Sequence, residues 1–380
     1  MINFFRQLVK PRYETLNYIE LDAAKLLANF RYLASLQPQA AIWPVLKSNA
    51  YGHGLAEICR ILNRAKPEMV VVESYPEVQV VYRYFKGRVL ILGEMPLEAY
   101  RYCQLARTEF VVYNATTLRY LARYGKRAHI HLFVNTGMNR EGVKNLPVFI
   151  QENKSYLDQV EITGLCSHLA SADEKSELTQ QQLANFLAAR EVVKGAGFNP
   201  RWLHLGNSAG LLTVKHEGLN AYRPGLALYG YNPLTTDRAA DTALQPVLEV
   251  FSKLVAYQEL VRGESVSYNE TYRAEQATNI GVIPFGYFEG LDRRFSNQAE
   301  FLVESGGNRF WAKVAGRVCM NLTCLDLGQN KPKIGDIVKL ISSNREDRNS
   351  LINLANHCRT IPYELLVKLQ SNIHREIINF

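Results

Sequence analysis

A single lysine closes a short apolar run, Trp43-Pro44-Val45-Leu46-Lys47, and a polar turn with two glycines, Ser48 to Gly54, separates it from the amphipathic stretch Leu55 to Leu62. The pattern predicts a buried strand that delivers Lys47 to its C-terminal end, then a turn into a helix. Partial burial lowers an ammonium pKa toward a reactive amine, so a lysine placed there suits Schiff-base chemistry. A lysine snorkelling off a strand end is the plainer alternative.

Other residues able to do chemistry also follow short apolar runs: Tyr51, the segment Asn135 to Arg140, Ser167-His168, His204 to Ser208, and Tyr222 to Leu226. Asn207-Ser208-Ala209-Gly210 resembles an anion nest, a small polar turn at a helix start with outward N–H groups and a hydroxyl. Gly225-Leu226 would add backbone donors beside it. One lysine, a phosphate-type nest, two arginines and a histidine suit pyridoxal phosphate better than a metal, since no carboxylate cluster accompanies them. Taken singly, Asn207-Ser208 reads equally as an N-cap and His168 as a core histidine. Their shared position at strand ends is the stronger argument.

Those positions need elements to hold them. Short β-rich runs alternate with amphipathic helical stretches from Tyr18 to about Gly230. Strands are predicted at Tyr18-Leu21, Ile42-Lys47, Met69-Glu73, Val89-Leu92, Phe110-Tyr113, Ile130-Val134, Ile162-His168, Trp202-Leu205 and Leu226-Tyr229. Among the helices, Ala23-Leu36 carries an apolar stripe behind an Asp22 N-cap, and Thr179-Lys194 carries another. Such alternation implies a parallel sheet with crossover helices, and about eight units favour a TIM-type (β/α)8 barrel, whose chemistry sits at the C-terminal strand ends. After Leu244 the texture becomes mostly β, with strands predicted between Val247 and Ile341 and helical stretches at Ser350-Asn356 and Ile361-Leu369. The expected domains are residues 1–243, the barrel, and 244–380, the β-domain, joined by a linker at Asn232-Thr242. The first ~15 residues are expected to pack on the β-domain.

Composition excludes several classes. The net charge of +8 invites nucleic acid as a partner, yet the 44 Lys and Arg are scattered, with no like-charge block and no zinc-finger or RNP spacing. The opening Met1 to Lys10 has no signal-type apolar core, and no membrane-length run follows. The six cysteines form no C-x-x-C, which suits buried thiols in a reducing cytoplasm rather than a metal site.

Several runs in order along the chain resemble those of alanine racemases. They are Val45-Leu46-Lys47 with Ala50 to Gly54, Thr136 to Gly142, Ser167 to Ala170, Gly206 to Ala209, and Tyr222 to Gly225 with Tyr229-Gly230. Val266 to Tyr268 with Thr271-Tyr272, Gly286-Tyr287, Gly316 to Met320 and Thr360 to Glu364 continue the match. The resemblance implies a fold-type III pyridoxal-phosphate enzyme and a homodimer in which each active site uses both subunits. Lys47 would bind the cofactor covalently. Tyr51, Ser208, the Gly225-Leu226 backbone and Tyr363 would hold its phosphate, with Asn207 supporting that loop and Arg140 nearby. Arg223 would hydrogen-bond the pyridine nitrogen and His168 would orient Arg223. Lys47 and the partner subunit's Tyr268 would be the two bases, one on each face of Cα. Arg140 and the Met320 backbone would hold the substrate carboxylate, and Tyr287, Arg293, Arg317 and Ile361 would line the entrance. The product, D-alanine, would feed cell-wall peptide synthesis.

Five positions depart from the family pattern. Phe133 stands where a lysine, often carbamylated, is usual; Asn135 and Asn321 replace acids, Asn269 a glycine, and Glu289 an aspartate. The lost charge around Arg140 predicts a pocket open to side chains larger than methyl. A broad-specificity amino-acid racemase is therefore the alternative, beside a non-catalytic pyridoxal-phosphate-binding protein and a decarboxylase of the same fold type.

Overall fold

A computed structural model describes residues 15–174, 176–234 and 239–380. The expectation for the first ~15 residues, and part of the Asn232-Thr242 linker, lie outside them. The described residues divide into two compact units, one made of 15–21 and 248–376, the other drawn from 22–247 and 377–380.

In the second of these units, six parallel strands run in sequence order: β3 (Met69–Val72), β4 (Arg88–Ile91), β5 (Thr108–Val112), β6 (His129–Phe133), β7 (Glu161–Cys166) and β8 (Trp202–His204). Two short parallel strands, β2 (Ala41–Ile42) and β9 (Ala221–Tyr222), complete the ring. Leu46 donates to the carbonyl of Val71 at 2.7 Å on one side, while Asn220 and Arg223 donate to those of Leu203 and Gly206 on the other. These bonds close an eight-stranded barrel. Its interior is a packed core of side chains from alternate strand positions, including Trp43, Val71, Leu90, Val111, Phe133, Cys166 and Trp202.

Two predicted barrel strands are corrected. Tyr18-Leu21 belongs to β1 (Tyr18–Asp22), which pairs antiparallel with β10 (Leu248–Lys253) in the other unit, where Tyr18 stacks on Phe251 at 4.9 Å. Leu226–Tyr229 is a 3-10 turn, buried on every side between Gly225 and Gly230. A four-residue apolar run does not separate a buried strand from a buried helical turn. The eighth strand is Ala221–Tyr222.

The helix Ala23–Leu36 begins as predicted: Asp22 Oδ1 accepts from the Lys25 amide at 2.9 Å. Such a cap contributes about 1 kcal/mol.

The β-rich unit is built on a nine-stranded sheet. Its strands β14 (Thr278–Ile283), β17 (Thr323–Gly328), β16 (Asn308–Val314), β15 (Glu300–Ser305) and β18 (Ile337–Ile341) are joined antiparallel in that order. The predicted strands at Thr278, Phe301, Phe310, Asn321 and Ile337 correspond to these, while Val247-Tyr257 divides into β10 and β11 (Ala256–Leu260). No helix among the described residues is long and apolar enough to cross a membrane.

Candidate active site

Lys47 lies where the chain leaves the barrel wall, directly after the Leu46–Val71 hydrogen bond. The next four residues, Ser48, Asn49, Ala50 and Tyr51, all have φ between 53 and 55°, a turn of left-handed helix in L-residues. Each such residue costs about 1–2 kcal/mol. Several bonds offset it. Ala50 donates to Leu46 O at 2.8 Å, the Leu55 amide donates to Asn49 Oδ1 at 2.9 Å, and the Ser48 amide donates to Glu77 Oε1 at 2.6 Å. The His53 ring stacks on Tyr229 at 4.2 Å, which anchors the far end. Glu77 also accepts from the Glu73 amide, and Glu73 forms an ion pair with Lys47 Nζ at 3.0 Å.

The turn brings Tyr51 over Gly225, where a Cβ would lie 2.3 Å from the tyrosine oxygen. Ser208 Oγ accepts from the amides of Gly225 and Ala227 at 2.9 and 3.2 Å, and Asn207 caps its own helix through Gly210. Among the described hydrogen bonds, the amides of Ser208, Ala209 and Leu226 donate to no other group. Free amides, two hydroxyls and a cleared Gly225 make a cradle suited to a phosphate. Asn207 is thus both cap and cradle support.

Arg223 is 4% exposed. Its Nη2 donates to Ser167 O at 2.6 Å, and Nη1 donates to His204 O at 3.0 Å and to His204 Nδ1. The ring that grips Arg223 is therefore that of His204, where the sequence pointed to His168. His168 sits at the end of its strand as expected, but its ring makes no hydrogen bond to Arg223 among those described. Burial and then the charges of Arg223, Arg140 and Lys47 push its pKa down to about 3. Burial and that positive field together favour the neutral imidazole.

Arg140 extends from a loop closed by Asn135, whose Oδ1 accepts from the amides of Gly137 and Asn139 at 3.0 and 3.2 Å. Its guanidinium pairs with Glu141 at 2.6 Å. Phe133 packs under this loop: a Cβ on Gly142 would lie 2.6 Å from its ring.

In the β-rich unit, Tyr268 is 67% exposed on a turn where Ser267 and Asn269 have φ of 67 and 62°. Ser267 Oγ donates to Arg317 O at 2.8 Å, and Gly316 lets the two loops touch, since a Cβ there would lie 2.6 Å from Ser267 Cβ. The amides of Tyr287 and Phe288 donate to Cys319 O and Met320 O at 3.0 and 2.9 Å. Tyr268, Tyr287, Arg317 and Met320 are thus held on connected loops. Ile361, exposed, caps the helix Pro362–Lys368, which carries Tyr363; Arg293 opens the 3-10 turn Arg293–Phe295.

The sequence matches the alanine racemase N-terminal domain over residues 21–233 and the alanine racemase C-terminal domain over residues 247–377. This chain belongs to the alanine racemase family of isomerases. Within the family it is similar to the alanine racemase of Citrifermentans bemidjiense, with 33% identity over 94% of this chain and 97% of that one. Its structure is similar to the biosynthetic alanine racemase of Pseudomonas aeruginosa, with 29% identity, a TM-score of 0.80 and coverage of 96% of this chain and 99% of that one. The alanine racemase of Bartonella henselae, solved with covalently bound pyridoxal phosphate, shares the fold at 23% identity and a TM-score of 0.82, over 96% of this chain and 100% of that one.

Carboxylates lie beside two of the loops that carry departures from the family pattern. Glu141 pairs with Arg140, and Asn321 Nδ2 donates to Glu289 Oε1 at 2.9 Å. Glu73, Glu77, His131 and Glu109 had no assigned role in the sequence reading, although the alternation His129-Ile130-His131 along β6 already placed polar groups on a barrel strand.

Proposed function

We propose that this chain is a pyridoxal-phosphate-dependent racemase that interconverts L- and D-alanine by proton transfer on both faces of Cα. The observation that carries the reading is the cradle formed by Tyr51, Ser208, Gly225 and Leu226 in the barrel unit that also holds Lys47 and Arg223, within a chain that matches both domains of the family. Bound there, the cofactor would supply the electron withdrawal that acidifies the substrate Cα–H.

The chain's own residues do the rest. Lys47 Nζ anchors the cofactor and moves the proton on one face. The Tyr51 and Ser208 hydroxyls, the Leu226 amide and Tyr363 take the phosphate, and Asn207 keeps the Ser208 turn in shape. Arg223 keeps its own charge and donates to the ring nitrogen without handing over a proton, which weakens carbanion stabilisation and restrains side reactions. His168, neutral in the field of Arg223, Arg140 and Lys47, adds no charge of its own. Arg140, tethered by Glu141, and the Met320 backbone receive the substrate carboxylate. The Tyr268 hydroxyl of a second copy moves the proton on the other face, so the working form is a homodimer. Its exposure and its place beside Arg317, Met320 and Tyr287 support this assignment, with Ile361 and Arg293 at the entrance.

The match to both domains of the family and the relatives named as alanine racemases support alanine over larger amino acids. The six free thiols fit a reducing cytoplasm, where D-alanine would serve cell-wall peptide synthesis. The test is loss of optical rotation from L-alanine by cofactor-loaded protein, beside Lys47→Ala and Tyr268→Phe, with L-serine and L-lysine compared. No racemisation by the loaded wild type overturns the reading, and equal turnover of L-lysine moves it to the broad-specificity alternative.

A further inference from the structure

A line of buried polar side chains crosses the barrel interior from the early part of β5 to Arg223. Glu109, His131 and His204 are 2%, 0% and 0% exposed. His204 Nε2 and His131 Nδ1 are 2.6 Å apart, and His131 Nε2 and Glu109 Oε2 are 2.6 Å apart. Glu109 is further held by Arg88 Nη2 at 2.9 Å and by the Thr163 hydroxyl at 2.5 Å. At the other end, Arg223 Nη1 donates to His204 Nδ1.

The direction of every proton in this line follows from its two ends. A guanidinium only donates, so His204 Nδ1 must be an acceptor and its proton must sit on Nε2. His131 Nδ1 must then accept, which puts its proton on Nε2, facing the acceptor-only carboxylate of Glu109. Both rings are neutral in this arrangement. Protonating His131 would set donor against donor at the His204 contact unless His204 reversed its tautomer, and Arg223 forbids that reversal. Moving one proton along the line toward Glu109 would leave Arg223 neutral and Glu109 protonated. That shift runs against the intrinsic order of a guanidinium and a carboxylic acid.

The barrel is shaped to hold this line. The β6–β7 register shifts between Ile130 and His131, and Thr163, beside that shift, turns its hydroxyl toward Glu109. Gly164 follows, where a Cβ would lie 2.2 Å from His131 Nδ1. The Trp43 indole packs edge-on against both rings, with centroids at 5.8 and 4.9 Å. Arg223 touches no carboxylate among its described hydrogen bonds, and burial pushes its pKa down. Glu109 is the countercharge at the far end of the line.

We propose that Glu109, His131 and His204 are positioning residues for Arg223: they present a fixed lone pair to its guanidinium, keep it charged, and leave its remaining N–H groups for the cofactor ring. The proposal rests on the reading of Arg223 as the partner of the ring nitrogen.

The first test uses cofactor-free, histidine-labelled protein and reads the ring-nitrogen shifts of His131 and His204 by long-range proton–nitrogen NMR. Both rings are expected as the neutral Nε2–H form between pH 6 and 8. An Nδ1–H form of either ring in the wild type overturns the proposal, whatever the enzyme's activity. In Glu109→Leu the His131 nitrogens are expected to lose the single-tautomer pattern; where that variant does not fold, Glu109→Gln serves, with the His204 shifts moving. Unchanged shifts in the variant that folds also overturn it. In the loaded enzyme, Glu109→Gln is expected to lower kcat about tenfold, the scale of one charge-assisted hydrogen bond, with KM for alanine within about twofold. Loss of kcat and KM together, tracking loss of melting temperature, would mark a purely structural role. Absence of racemisation in the wild type would instead remove the functional reading while leaving the tautomer result standing.

Discussion

Asn321 donates through Nδ2 to Glu289 Oε1 at 2.9 Å, while the second oxygen of that carboxylate accepts from the Gly286 amide at 2.8 Å. Two residues that each depart from the family pattern thus contact one another and tie the Met320 loop to the Tyr287 loop. Restoring an acid alone, Asn321→Asp, sets carboxylate against carboxylate. We expect KM for alanine to rise about fivefold, the scale of one exposed charge interaction, with kcat nearly unchanged. Adding Glu289→Gln should bring KM back, since the amide can donate to the new carboxylate. Steady-state kinetics of the single and double variants check the pair.

Gly142 has φ of 100°, and a Cβ there would lie 2.6 Å from the Phe133 ring and 2.7 Å from the Asn135 amide. Gly142→Ala combines left-handed backbone strain with overpacking, so a loss of about 2–4 kcal/mol is expected in urea unfolding. In Phe133→Ala background the overpacking against the ring disappears and the strain remains, so the same substitution should cost less there. An equal cost in both backgrounds would show that Phe133 does not support the Arg140 loop.

His168 has its pKa pushed down to about 3 by burial and by Arg223, Arg140 and Lys47. In the unfolded chain a histidine titrates near its ordinary value of about 6.5. Below that value the unfolded state binds the proton and the folded state does not. Stability therefore rises with pH and is lost progressively as pH falls from about 6.5 toward 3. The ring resonances of His168 should show no midpoint above pH 5. Removing a neighbouring charge with Lys47→Met should move the midpoint upward, and a midpoint unchanged by that variant would place Lys47 away from His168.

Gly225 is required by the Tyr51 hydroxyl, which would meet an added Cβ at 2.3 Å. Gly225→Ala is expected to displace Tyr51 and weaken pyridoxal phosphate binding by more than about tenfold, equivalent to about 1.4 kcal/mol or more. Equilibrium titration of the cofactor-free protein, followed by absorbance, gives the affinity. Circular dichroism checks that the barrel is retained.

The candidate site residues were legible because they sit in short polar runs after apolar ones. Lys47, Arg140, Asn207-Ser208 and Arg223-Pro224-Gly225 all come from strand ends, and the period of the flanking runs placed them there. The barrel followed from alternation alone, but its membership did not. Tyr18-Leu21 has the composition of any strand, and only its antiparallel pairing with Leu248–Phe251 assigns it to the other sheet. Leu226–Tyr229 is equally apolar as a strand or as a 3-10 turn, and the surrounding packing chose the turn.

Local sequence thus determined which chemical groups this protein carries and that a parallel barrel would present them. Tertiary structure decided which groups meet. His204, far from His168 in sequence, grips Arg223, because β8 and β9 are neighbours in the closed ring. Glu109 reaches that arginine only through His131, across strands that no local pattern pairs. A residue's type and its strand parity are written locally, whereas the partner of a buried charge depends on which strand lies beside it and in what register.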